Sequence, residues 1–339
     1  MMESEKRFQS CDKHRRGWDV LVGGSGSRQL LGMSAALELR NVSKSFGTFH
    51  AVQGLSLSVP VGSVYGFLGP NGAGKTTSLR MILGMLLPDS GRLSVLGSPS
   101  AMAVRNRVGY LPEEKGLYRK MTAAAAIAYF ATLKGVACGE ARIRARTLLD
   151  RYGLGAFADK KIEALSKGMG QKVQVLSAIA HDPELVLFDE PFSGLDPVNQ
   201  EVLEEILIDL KARGCTILFS THVMAHAERL CDRLLILGGG RGLFEGTVSE
   251  ACSVLPVRIS LETADPSPFL EDLPGVRRQE AQGEGRWCLE LQPGAPASAV
   301  LEACCERSVR LRRFDVREPD LHEVFVHLVG PSAREASLR

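Results

Sequence analysis

GPNGAGKT, residues 69–76, decides how the rest of the chain reads. It fits the pattern G-x-x-x-x-G-K-[ST] without a mismatch. Gly72 and Gly74 let the backbone turn so that consecutive N–H groups face one centre. The helix that follows adds its N-terminal partial charge. Gly69, Pro70, Asn71, Gly72, Ala73 and Gly74 thus form a candidate cradle for phosphate. Lys75 can reach β- and γ-phosphates, and the Thr76 hydroxyl can ligate Mg²⁺. The bland alternative is a Gly-rich turn before a helix. The context favours the phosphate: strand-like GFL precedes the loop, and SLRMILGML follows it as a helix.

A phosphate site needs a carboxylate partner, and ELVLFDE (184–190) supplies one. Four apolar residues end in Asp189-Glu190, at the expected carboxyl edge of a buried strand. Ligands of open parallel sheets bind at that edge. Asp189 can hold Mg²⁺, usually through water. Glu190 can accept a proton from the attacking water or orient it. CTILFSTH (215–222) is a second buried-strand run, separated from the first by the helical pattern NQEVLEEILIDLKARG. Strand–helix–strand implies a parallel sheet. His222 then stands at the same edge as Glu190, able to hold a γ-phosphate and the water. The residues by themselves point to a Mg-nucleotide hydrolase with an α/β fold.

Around this centre the chain divides into segments. Residues 1–32 show no period and end Gly/Ser-rich, which predicts a disordered extension. Met33 stands just before the first strand pattern and is the expected natural start. ALELRNV, AVQGLSLSV and GSVYGFL predict strands from residue 36 to 68, and LSVLG and RVGYLP two more. Residues 122–180 are helical in character. LCDRLLILGGGRGLFEGT predicts a strand and a hairpin. From about 256 to 330 the order is β-α-β-β-α-β, a split βαβ arrangement, followed by the helical DLHEVFVHLVG. PSPFLEDL is the first helix of that order, and 331–339 reads as a tail.

Bulk properties exclude several classes. The 339 residues suggest about two domains. A net charge of +2 gives no global field toward nucleic acid or an anionic membrane. The basic run VRLRRFDVR (309–317) has little aromatic interleaving and reads as a solvated strand face, so no nucleic-acid partner is expected. The longest apolar stretch, MTAAAAIAYFATL (121–133), is shorter than the roughly 20 residues a membrane span needs. None of the eight Cys has C-x-x-C spacing, and they read as reduced thiols of a cytosolic protein.

These pieces, in this order, resemble an ABC-type ATPase domain over residues 36–250. The resemblance rests on GPNGAGKTT, LFDE, LSKGMGQ (165–171) at the family's LSGGQ signature, SGLD (193–196) at its D-loop and STH (220–222) at its switch histidine. It implies a RecA-like parallel core, an antiparallel β subdomain and an α-helical subdomain at about 113–180. It also implies ATP and Mg²⁺ as ligands, with Thr77 joining the cradle. Phe46 in SKSFG would stack on adenine. Two domains would sandwich two ATPs head to tail, so that Ser166, Lys167, Gly168 and the D-loop's Asp196 would meet a partner's nucleotide. The dimer would be a homodimer or a pair with a paralogous ATPase subunit.

VGYLPEEKGLYRKMT (108–122) is further similar to the Q-loop region of type-two exporter subunits, the branch of sodium, drug and polysaccharide exporters. The C-terminal unit resembles the small ferredoxin-like α+β accessory domain of that branch. That implies a subunit on the cytoplasmic face of the plasma membrane, driving a separate permease. Glu113 stands where most members have Gln and would approach Mg²⁺; Gly170 stands where related signatures often have Gln. Two other readings keep the same chemistry: a soluble ABC ATPase acting on ribosome or DNA, and a nucleotide-dependent regulator without transport. The single phosphate loop and the lack of sustained heptads count against the first.

Overall fold

The computed structural model describes residues 35–336 except 115 and 266–271. The expected N-terminal extension with its start at Met33, and most of the expected helix PSPFLEDL, lie outside the described residues.

β1 (Ala35–Phe46) and β2 (Phe49–Pro60) form a hairpin. Their alternation sends Leu37, Leu39, Leu55, Leu57 and Val59 inward, and leaves Ser56 and Ser58 exposed. β3 (Val64–Leu68) is buried at every residue and feeds the Gly-rich loop, after which α1 (Lys75–Ile82) begins. β4 (Ser90–Val95) returns to β1, completing an antiparallel sheet of order β2-β1-β4. β5 (Val108–Leu111) leads into a helical region of α2 (Ala123–Leu133), α3 (Cys138–Arg151) and α4 (Lys167–Ile179). The Ala-rich α2 packs Ala123, Ile127 and Ala131 against Ala141 and Ala145 of α3 in a shared core, so the two form a close-packed helix pair.

The chain then alternates strand and helix: β6 (Leu185–Asp189), α5 (Pro197–Ala212), β7 (Thr216–Thr221), α6 (Met224–Leu230) and β8 (Arg233–Gly238). β9 (Arg241–Gly246) and the short α7 (Val248–Cys252) close this part. The sheet order is β5-β6-β7-β3-β8-β9, parallel except for the β8–β9 hairpin. β3 lies centrally between β7 and β8, so the Gly-rich loop emerges beside the ends of β6 and β7. This is the switch-point crevice where α/β sheets bind ligands.

The C-terminal unit has β10 (Arg258–Thr263), β11 (Val276–Gly283), β12 (Arg286–Leu291), α8 (Ala297–Glu306), β13 (Leu311–Arg317) and α9 (Leu321–Ala336). Its antiparallel order β11-β12-β10-β13 is that of a split βαβ sheet. Ile259, Leu261, Leu289 and Leu291 cover one face with Val300 and Cys304 of α8. The arginines of the basic run are partly paired within this unit: Arg310 with Asp265 at 2.6 Å and Arg313 with Asp315 at 2.5 Å.

Two expectations need correction. The last helix does not stop at 330 but runs to Ala336, into the segment expected as a tail. Nor does it belong by packing to the C-terminal unit alone. Leu321, Val324 and Val329 are buried with Leu68 of β3, Leu234 and Ile236 of β8, Met224 and Ala227 of α6, and Ala251 of α7. The apolar stripe at 321, 324, 325, 328 and 329 has helical spacing. Spacing shows that a face must be buried, not which surface buries it.

Candidate nucleotide site

Gly74 is the N-cap of α1 at φ +99°, and a Cβ there would lie 2.5 Å from the Ala51 carbonyl oxygen. Only glycine fits this close approach of loop and β2 in a left-handed conformation. The turn sets Lys75 as the first residue of α1, with its side chain buried. Lys75 Nζ donates to the carbonyl oxygens of Gly69 at 2.6 Å and Pro70 at 3.3 Å, so the lysine folds back along its own loop. Thr76 and Thr77 are half-buried in the first turn of α1.

Lys75 Nζ also lies 3.3 Å from Glu190 Oε1. Asp189 ends β6 opposite Ser220 of β7, and Glu190 follows it at φ +48°. A left-handed conformation in a non-glycine residue costs about 1–3 kcal/mol and needs surroundings that hold it. Ser220 does part of this. Its hydroxyl donates to Asp189 Oδ1 at 2.7 Å and accepts the Glu190 N–H at 2.9 Å. Glu190 Oε2 lies 2.9 Å from His222 Nδ1, which must carry its proton to make that bond. Nε2 then has no partner among the described residues, on an imidazole that is 53% exposed.

Asp189 Oδ2 and Glu190 Oε1 are buried and accept no hydrogen bond among the described residues. Glu190 Oε1 still has the Lys75 ammonium as its ion-pair partner. A buried carboxylate oxygen such as Asp189 Oδ2, with none among the described residues, is costly, and a divalent cation with its waters would satisfy it. With the Thr76 hydroxyl on the residue that follows Lys75 in α1, the donor set fits Mg²⁺. Glu113 is exposed in the loop after β5. That loop is tied to α4, where Gln174 Nε2 donates to the Glu114 carbonyl oxygen at 3.0 Å.

The other expected residues gather elsewhere. Phe46 is exposed at the end of β1, with Lys44 Nζ 5.8 Å from its ring centre. Ser166 is the N-cap of α4 and its hydroxyl accepts the Met169 N–H at 3.2 Å. A Cβ on Gly168 would meet Asn199 Nδ2 at 2.4 Å, and one on Gly194 would meet Lys167 Nζ at 2.4 Å. The start of α4 therefore leans on the loop and first turn of α5. Asp196 caps α5, its carboxylate accepting the Asn199 N–H at 2.9 Å and Nδ2 at 2.6 Å. Those hydrogen bonds hold its carboxyl below the usual range. Asp196 was expected at a nucleotide; within this chain its oxygens serve the helix.

Sequence reading passed over two further residues. Ser220 lay inside the STH motif, but its role needs the β6–β7 register. His226 is buried and stacks on Phe192 at 4.0 Å between ring centres and 9° between planes. Burial pushes its pKa below the ordinary value, partly offset by Glu204.

Residues 52–193 match the ABC transporter family, and 256–329 match the C-terminal domain of DrrA1-3-like ATP-binding proteins. The chain is 41% identical over 296 residues to the uncharacterized ABC transporter ATP-binding protein YhaQ of Bacillus subtilis (strain 168), covering 87% of this chain and 98% of that protein. The chain belongs to the ABC transporter ATP-binding proteins. A second relative of this ATP-binding subunit is the Nod factor export ATP-binding protein I of Burkholderia orbicola (strain AU 1054), 38% identical over 306 residues, with 87% and 97% covered. A solved ATP-binding subunit of an ABC transporter superposes with a TM-score of 0.59 at 33% identity, covering 64% of this chain and 91% of that one. A dimeric ATP-binding cassette in a post-hydrolysis state, bound to ADP and Pi, superposes with a TM-score of 0.58 at 25% identity, covering 62% and 98%. The ATP-binding subunit is thus an ABC ATPase with the P-loop α/β fold expected of it. Among its described residues no helix is long and apolar enough to cross a membrane.

Proposed function

We propose that this ABC ATPase is the motor of an export system, working as a head-to-tail dimer on the cytoplasmic face of the membrane against a separate permease. The observation that carries the hydrolytic part is the group Lys75, Asp189, Glu190 and His222, joined by Ser220 at one sheet edge. Export is supported by the relatives named for it.

The backbone amides of residues 69–76 bind the phosphates, and Lys75 moves from the Gly69 carbonyl to the β- and γ-oxygens. Phe46 stacks on the adenine. Thr76, Asp189 and Glu113 would hold Mg²⁺, which when bound neutralises charge on the β- and γ-phosphates. Glu190 orients the attacking water with Oε1 while His222 holds Oε2. His222 Nε2, on the exposed side, donates to the transferring phosphoryl group; because Nδ1–H already donates to Glu190, this role requires the imidazolium form. The phosphate cradle of a chain is filled by its own nucleotide. Ser166 and Lys167, exposed at the start of α4, and the half-buried Gly168 therefore serve the partner's γ-phosphate. Asp196 sets the loop beside them through α5. The partner subunit is a second copy or a paralogue. Tyr118 and Tyr129, exposed in an aromatic group after the Glu113 loop, offer a contact for the permease.

Glu190→Gln tests the centre. The variant keeps hydrogen-bonding atoms but cannot take a proton, so ATP still binds. Turnover falls by about 100-fold or more, and dimer accumulates on gel filtration with ATP. Unchanged turnover would remove Glu190 from this role.

A further inference from the structure

The helix α6 is seven residues long and starts two residues after His222. A helix that short has little stability of its own, so its position is set by what it packs against. On one side His226 stacks on Phe192, two residues after Glu190. On the other, Met224 and Ala227 share an apolar cluster with Leu321, Val324 and Val329 of α9. The same cluster includes Leu68, the residue before Gly69. A polar tie fixes the register of this contact. Glu228 Oε1 of α6 accepts the N–H of Leu321, the first residue of α9, at 2.8 Å. α9 has a local cap already, since Asp320 Oδ1 accepts the Glu323 N–H at 2.7 Å. Glu228 satisfies a second orphan donor from outside, and its charge opposes the positive end of the helix dipole. A cavity of about 590 Å³ is lined by Glu190, His222, His226 and Glu228 together.

We infer that Glu228 is a positioning residue: by capping α9 from α6 it holds the segment that carries His222, so that the C-terminal unit sets the geometry of the Glu190–His222 pair. The C-terminal unit is then part of the hydrolytic machine and not only an appendage. Movement of α9 relative to β8 would be read at His222 as a change in its distance from Glu190. The inference rests on the roles proposed above for Glu190 and His222.

The test uses the full chain and compares steady-state ATP hydrolysis of Glu228→Ala, Glu228→Gln and Glu190→Gln. Rates are taken per nucleotide site, counted by ADP titration. Glu228→Ala is expected to lower kcat about five- to tenfold, the loss of one capping bond, with KM for ATP within about twofold. Glu228→Gln keeps an acceptor oxygen for the Leu321 N–H and is expected to recover kcat to within about twofold of the natural protein. Leu321→Pro removes the N–H at the first helical position, where proline is tolerated. In that background Glu228→Ala should cause no further loss; if Leu321→Pro does not fold, the Glu228 pair decides. A Glu228→Ala rate within twofold of the natural protein, or a Gln variant as impaired as Ala, overturns the inference. If Glu190→Gln itself turns over normally, it is the site assignment that fails, and the two failures are told apart.

Discussion

Ser220 illustrates how much one hydroxyl does at this site. It spends its single proton on Asp189 and its lone pair on the Glu190 N–H, so the two acids of adjacent roles are held by one atom. Glu190 keeps φ +48° only while such contacts hold it. Ser220→Ala removes both bonds and leaves Asp189 Oδ1 buried without a donor. The expected outcome is a fall in kcat of about tenfold together with a rise in the Mg²⁺ concentration needed for half-maximal rate. Magnesium titrations of the ATPase rate check it, and an unchanged titration would assign Ser220 to packing alone. Lys75 shows the same logic from the other side, since in the proposed mechanism a nucleotide's phosphates would replace its contact with Gly69 and Pro70.

At the scale of elements, the helical region hangs on the edge strand β5 by a small polar cluster. Lys134, after α2, donates to the Val108 carbonyl oxygen at 2.9 Å and the Arg105 carbonyl oxygen at 2.7 Å. His181, after α4, approaches the same Val108 oxygen at 3.3 Å through Nε2, and its Nδ1 is buried without a hydrogen-bond partner among the described residues. Burial, with Lys134 beside it, pushes the His181 pKa down to about 4 from an ordinary 6.5. The unfolded chain therefore binds this proton more readily, and the stability His181 contributes is present above pH 6.5 and lost as pH falls toward 4. Between pH 7.5 and pH 5 the natural protein should lose on the order of 2 kcal/mol more than a His181→Asn variant. Urea unfolding at the two pH values measures the difference. Equal losses would mean that His181 titrates alike folded and unfolded.

At the scale of the whole molecule, the residues proposed to act on one nucleotide sit in two groups. Lys75, Asp189, Glu190 and His222 meet at the switch point, while Ser166, Lys167 and Gly168 lean on Asn199 and Gly194 at the start of α5. The head-to-tail dimer proposed above would unite them. In mixed dimers of Ser166→Arg and Lys75→Ala protomers, each protomer lacks a different half. One composite site is intact if the signature acts across the interface, so the mixture should regain about half the natural activity per heterodimer while each homodimer is inactive. Inactivity of a verified heterodimer would place the signature's action within its own chain.

By itself the sequence determined the parts whose physics is local. A glycine-rich loop before a helix, buried apolar runs ending in acids, and the STH triplet each carry their meaning within ten residues, because strand period, helix N-terminal charge and loop torsions are local quantities. From them the parallel sheet, the split βαβ order, and Lys75, Asp189, Glu190 and His222 as one edge could be read; the antiparallel subdomain followed only from the resemblance to the ABC family. Tertiary structure alone decided what depends on contacts between distant segments. The β6–β7 register brought Ser220 onto both acids. Long-range packing put His226 on Phe192 and gave Asp196 to the cap of α5. The amphipathic stripe of α9 was legible as a face to be buried, but hydrophobic attraction is non-directional. Only the three-dimensional fit against α6, α7 and β8 joined α9 to the helix that follows His222.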